Sequence, residues 1–174
     1  MMLKTALAGA FLALVASSVA YGGWQKYQCA KGEISVDFPV VPEVSTRFVQ
    51  GDSFRMEQRS YSCEDGRTGY NLTSVLMPAN VRAGRAPDDI LKSAAQAAKP
   101  KDWKTYDEVW LGVDDIRTLR FTLRPSENYE AHHYYMLTGT RLYCLVVVAL
   151  ASPNAKADAD RFFNSFRPLE ADEG

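Results

Sequence analysis

Two runs, Tyr129-Glu130-Ala131-His132-His133-Tyr134-Tyr135-Met136-Leu137 and Arg141-Leu142-Tyr143-Cys144-Leu145-Val146-Val147-Val148-Ala149-Leu150, joined by Thr138-Gly139-Thr140, decide the fold. The first is rich in aromatic residues and the second carries a run of valines, and a short glycine turn between them marks an antiparallel hairpin. The second run is nearly all apolar, as expected of a central strand covered on both faces or most of one. It is far too short to cross a bilayer, which takes roughly 20 apolar residues. Moving outward, Lys104 to Leu111 and Ile116 to Arg124 read as two more strands about a Val113-Asp114-Asp115 turn. The pattern predicts a four-stranded meander.

The amino-terminal half supplies the other strands. Ile34-Ser35-Val36-Asp37-Phe38 alternates apolar and polar residues with period two, and Pro39 and Pro42 stop it because neither can donate to a ladder. Arg47 to Val49 and Phe54 to Ser62 form a predicted hairpin around Gly51-Asp52, and Gly69 to Met77 forms a further strand ended by Pro78. Tyr21 to Lys31, polar and aromatic with a glycine pair, reads as a loose lead-in.

Two helices are expected. Pro87 stands in the first turn of one, where its missing N–H costs nothing, and Asp88 and Asp89 sit at the positive end of its dipole. Ile90, Leu91, Ala94, Ala95 and Ala98 then recur on one face, and Pro100 follows the end. The alanines imply close packing on a sheet. Ser152-Pro153 opens the second, in which Ala155, Ala159, Phe162, Phe163 and Phe166 share a face. The expected fold is α+β, a single central antiparallel sheet of about six to seven strands covered by two helices.

Residues 1–20 read as a secretory signal peptide. Lys4 gives the charged start, Ala6 to Val15 the apolar core, and Ser18-Val19-Ala20 small residues before a cut after Ala20. The expected mature chain is then one α+β domain over 21–174, periplasmic or secreted, meeting the membrane only through its transient leader. The full chain carries 20 Lys and Arg against 21 Asp and Glu; without Lys4 this becomes 19 against 21, a net charge of −2. Basic and acidic residues alternate, so the electrostatic footprint of a nucleic-acid binder is missing.

Export brings an oxidising compartment, where cysteines pair. Cys144, inside the apolar strand, reads as a small hydrophobe. Cys29 and Cys63 lie at polar strand ends and are the expected disulfide, one that would contribute roughly 3–4 kcal/mol on the chain-entropy model. A redox-active or intermolecular thiol is the alternative, without a Cys-x-x-Cys motif to favour it.

This order of elements resembles the PsbP/Mog-type α/β domain superfamily, which includes periplasmic proteins of the DcrB kind. The resemblance is carried by Ile34-x-Val36-x-Phe38-Pro39-x-x-Pro42, the helix from Asp88 after an early hairpin, Gly112 with the strand after it, Tyr143, and Phe163-Asn164-Ser165-Phe166. It implies a PsbP/Mog-like sandwich and members that mostly bind or assist other proteins. DcrB-like lipoproteins carry a cysteine directly after the leader; here Cys29 follows Lys26-Tyr27-Gln28, which is no lipobox, so a free rather than lipid-anchored protein is expected. Kinship of fold does not by itself transfer function.

Candidate chemistry is sparse. His132 and His133 are the only histidines, and as strand neighbours they point to opposite faces. Glu130 and His132 share a face and could supply two ligands of a metal site, with a third from elsewhere. Asp114 and Asp115 read as a solvated hairpin tip, and Asp88 and Asp89 as helix capping. Among the meander aromatics, Trp103, Tyr106, Trp110, Tyr129, Tyr134 and Tyr135 either pack under the helices or make a partner surface. Glu130, His132, Trp110 and Tyr134 are put forward as a polar or aromatic surface. No catalytic, cofactor-binding or metal-binding residue is assigned, and no cofactor is expected. No Gly-x-Ser-x-Gly, phosphate-cradling glycine loop or His-Glu-x-x-His occurs. The expected function is an exported, non-enzymatic binding or accessory protein acting on another envelope protein. The alternatives are a small-ligand or metal-binding protein, and an enzyme whose site converges only in three dimensions.

Overall fold

The computed structural model describes residues 23–29, 33–51, 54–113, 116–126 and 128–169; residues 1–20, read above as a signal peptide, Asp114-Asp115 and the acidic segment 170–173 lie outside them. Seven strands form the main sheet. They are β3 (Glu43–Gln50), β4 (Arg55–Asp65), β5 (Thr68–Leu76), β6 (Lys104–Val113), β7 (Ile116–Ser126), β8 (Tyr129–Thr138) and β9 (Arg141–Leu150). Their order across the sheet is β3-β4-β5-β9-β8-β7-β6, antiparallel throughout. Two meanders therefore meet along β5 and β9, and the apolar strand β9 takes the central position. The β8–β9 hairpin closes through Gly139-Thr140, and Gly139 adopts a left-handed φ of 45°, open to glycine without a Cβ clash.

A strand covered on both faces needs two cores, and the molecule has two. On one face α2 (Pro87–Ala98) lays Ile90, Leu91 and Ala94 against Leu119, Phe121, Leu123, Tyr135, Cys144 and Val146. Pro87 at its start, the acidic first turn and the close alanine contact agree with the sequence reading. The short α1 (Ala79–Arg82) precedes it. On the other face lies α3 (Pro153–Ser165), whose Ser152 Oγ accepts from the Ala155 N–H at 3.2 Å and so caps the helix. Its Phe162 and Phe163, with Phe166 just beyond, pack on Leu72, Tyr143, Leu145 and Val147.

One expectation is corrected. The strand Ile34–Phe38, here β2, does not join the central sheet. It is the middle of a separate three-stranded sheet, between β1 (Gln25–Gln28) and β10 (Arg167–Pro168). Pro39 and Pro42 interrupt the chain before β3 begins, so β2 can be displaced into its own layer beside α3. There Phe38 meets the ring of Phe162 at 5.1 Å between centroids. Within the lead-in, Gln25–Gln28 is a strand because it pairs with β2, and its Tyr27 packs on Tyr61.

The disulfide expectation is also corrected. Cys29, Cys63 and Cys144 are all free thiols in this structure. Cys29 is buried in the α3-side core, where its Sγ accepts from the Glu33 N–H at 3.1 Å. Cys63, on β4, is half-buried and engages the backbone of Val40. Each sulfur thus has its own partner. Burial pushes the Cys63 and Cys144 thiols up to about 12, which leaves little thiolate at neutral pH.

Phe162 is fully buried at the meeting of α3, the small sheet and β9. Phe162→Ala is expected to lower the unfolding free energy by about 3–5 kcal/mol, measured as a shift of the urea midpoint. Val41→Ala, at a position 76% exposed, should stay within about 0.5 kcal/mol of the parent.

Candidate functional site

Strand β8 places its two histidines on opposite faces of the sheet, as alternation requires. His133 enters the α2-side core. Its ring stacks on Phe121, with centroids 4.6 Å apart and planes 6° from parallel, and Nδ1 lies 3.3 Å from the Tyr135 hydroxyl. Burial, followed by the repulsion of His132, holds its pKa down to about 3. At neutral pH it is an uncharged aromatic of the core rather than a base open to substrate.

His132 lies on the α3 side. Its Nδ1 is 3.2 Å from Thr122 Oγ1, and its Nε2 is 3.2 Å from Glu130 Oε2. Arg124 closes the chain, reaching Glu130 Oε1 at 2.9 Å through both Nε and Nη2. Burial lowers the His132 pKa, and Glu130 opposes that shift without reversing it. A hydroxyl, an imidazole and a carboxylate are thus aligned, the order that a nucleophile, its base and an orienting acid would take. Here Thr122 and His132 are buried, so the arrangement ties β7 to β8. Among the described residues no third His, Cys, Asp or Glu joins Glu130 and His132 into a metal-holding group.

The four residues put forward as one surface are divided by the sheet. Tyr134 shares the α3 face with Glu130 and His132, but it is buried, stacked on Phe163 at 5.7 Å with the Arg120 guanidinium 4.9 Å from its ring. Trp110 is on the α2 face, opposite Leu119, where its indole N–H donates to Glu108 Oε1 at 2.8 Å. Both histidines are buried rather than solvated. Of the meander aromatics, Tyr135 is core, Trp103 and Trp110 are half-buried, and Tyr106 and Tyr129 are exposed.

A surface does form, from other residues. Tyr106, Val109, Leu111 and Ile116 are exposed apolar side chains on strands β6 and β7. The cross-strand register sets Tyr106 opposite Thr122, Val109 opposite Arg120 and Leu111 opposite Thr118, all on the α3 face. In an unbroken strand, Tyr106 and Val109 would point to opposite sides. A bulge between them, with Asp107 in the left-handed region at φ 52°, brings them to the same side. Arg120 and Arg124 stand beside them, with Arg124 4.6 Å from the Tyr106 ring. Period-two reading cannot find this stripe because the bulge inverts the phase, and Asp107-Glu108 leaves no distinctive signature.

No protein-family model and no curated protein matches the chain. A solved structure to which it is similar is the solution structure of cyanobacterial PsbP (CyanoP) from Synechocystis sp. PCC 6803. The two are 14% identical, the match covers 89% of this chain and 98% of that one, and the TM-score is 0.48. The α+β fold class stands on the strand order described above.

The histidine environment gives a pH prediction. His133 has a folded pKa below its ordinary 6.5, so the unfolded chain takes up the proton more readily. Its contribution to stability is complete above pH 6.5 and is lost as pH falls toward about 3. The expected loss is ~2 kcal/mol between neutral pH and pH 5, with His132 adding in the same direction. Urea titrations across that range should show the loss in the parent chain and a flatter profile for His133→Phe.

Proposed function

We propose that the chain is an exported, non-enzymatic binding protein that docks onto another protein of the cell envelope through the β6–β7 part of its α3 face. The observation that carries this reading is the exposed stripe of Tyr106, Val109, Leu111 and Ile116. Contiguous exposed apolar groups are costly to solubility and commonly mark interaction sites. Residues 1–20, with their charged start, apolar core and small-residue end, support export to the compartment where the partner would be met.

The chemistry of the stripe describes its partner. Arg120, Arg124 and Lys104 occupy the same face of the strands, so the matching surface is apolar at its centre and acidic at its rim. Arg120 is already directed by Asp160 at 3.6 Å and Asn164 at 3.2 Å on α3, which spares part of the ordering cost on association.

A photocrosslinking residue at Val109 in tagged, exported protein should capture one envelope protein in cells. The same residue at Lys92, on the opposite side of the sheet, should capture none. Leu111→Arg should abolish the Val109 crosslink without changing the melting temperature, and Arg124→Glu should weaken it. Equal capture from both positions, or capture indifferent to Leu111→Arg, would overturn the docking surface.

A further inference from the structure

The same face of the sheet carries a second feature at its far end, where β3, β4 and β5 extend past the cover of α3. Phe48, Arg55, Glu57, Leu76 and Pro78 line an open groove of about 420 Å³. It runs into a smaller hollow of about 130 Å³ between Glu33, Arg59, Ser74 and Arg141, with Glu57 and Leu76 shared by both. Phe48 and Leu76, 54% and 42% exposed, give the groove an apolar wall that the fold leaves uncovered.

The charges in this region are unequal in a way that selects a ligand. In the inner hollow Arg59 contacts Glu57 at 2.7 Å and Glu33 at 3.5 Å. Arg141 contacts Glu33 at 3.0 Å and donates to Ser74 Oγ at 3.3 Å. Two guanidinium groups and two carboxylates balance, and the four side chains hold one another in place. Arg55 is the remaining cation. Its guanidinium lies 3.8 Å from the centre of the Phe48 ring, and it has no carboxylate partner among the described residues. A groove with one apolar wall, a neutral polar floor and one unmatched cation is complementary to a molecule with an apolar body and a single negative charge.

We propose that this groove binds a small mono-anionic amphiphile, an alkyl or aryl carboxylate or an acyl lipid with an anionic head. The apolar body lies along Phe48, Leu76 and Pro78, and the head accepts from the Arg55 guanidinium. Arg55 remains stacked on Phe48, so the ligand meets a positioned donor. The ion network keeps Arg59 and Arg141 occupied and gives the inner end its polar limit. This site is separate from the β6–β7 stripe and does not depend on it.

Calorimetric titration of the mature protein with decanoate below its micelle concentration tests the proposal, with decanol and decyltrimethylammonium as neutral and cationic counterparts. Decanoate should bind, and the other two should bind at least about tenfold more weakly. Arg55→Glu and Phe48→Ala should each weaken decanoate by about tenfold or more, with melting temperatures unchanged because both side chains are exposed. Sedimentation with phosphatidylglycerol vesicles identifies the source: Arg55-dependent pelleting marks a membrane lipid, and decanoate binding without pelleting marks a free acid. The absence of Arg55-dependent binding in both arms, or equal affinity for decanol and decanoate, would overturn the proposal.

Discussion

The pairing of β5 with β9 is the contact on which the rest of the molecule depends. It joins the amino-terminal strands β3–β5 to the carboxy-terminal meander and puts the most apolar strand at the centre of seven. From there, both faces of β9 must be kept from water. Tyr143, Leu145 and Val147 point one way and Leu142, Cys144 and Val146 the other, so the chain needs covering layers on both sides. Helix α3 follows β9 directly and covers one. Helix α2, placed between the two sets of strands, covers the other. The small sheet completes the α3 side and fixes both ends of the described chain to the same core.

This two-sided cover governs what the histidines can do. Strand alternation sends His132 and His133 into different layers, and each ring is buried in its own. An imidazole in a closed apolar layer is held neutral, since the charged form loses its hydration. His133 is the stronger case, stacked on Phe121, with burial and then the repulsion of His132 lowering its pKa. His132 has Glu130 at 3.2 Å, and burial still wins. The Thr122–His132–Glu130–Arg124 chain links two neighbouring strands under α3. A hydroxyl, an imidazole and a carboxylate stand in sequence there, with Thr122 and His132 buried.

Much of this was legible in the residues. The alternation of Ile116 to Arg124, the apolar run ending at Leu150, and prolines opening helices at Pro87 and Pro153 all state their element without tertiary help. The separation of His132 from His133, and the pairing of Glu130 with His132, followed from strand geometry alone. Other features depended on distant contacts. Gln25–Gln28 has too few residues to show a period, and it is a strand because β2 is beside it. Arg167–Pro168 is set by the end of α3. Cys29 and Cys63 looked alike in sequence, yet one sits in the core and the other on β4. Trp110 and Tyr134 looked like one surface until the register placed them on opposite faces. The bulge at Asp107 hid the exposed stripe most completely, because one extra residue exchanges inside for outside.

The width of the sheet explains why surfaces remain at all. Six inter-strand spacings of about 4.8 Å put the outer strands roughly 29 Å apart, whereas one helix covers about 10–12 Å. On the α3 face the helix and the small sheet cover the middle and leave both wings open. Such wings are normally made polar, because an exposed sheet edge invites unwanted pairing. The β6 wing meets part of that demand with a bulge and with Asp107 and Glu108, and β3 does so with Glu43 and Arg47. Even so, Val109 and Leu111 on one wing and Phe48 and Leu76 on the other stay exposed. Being exposed, they add little to stability, and the α3-side core closes without them. Each apolar group has an arginine within reach, Arg124 at Tyr106 and Arg55 at Phe48. Apolar contact beside a positioned guanidinium is a poor arrangement for a surface meant only to face water, and a good one for a surface that binds.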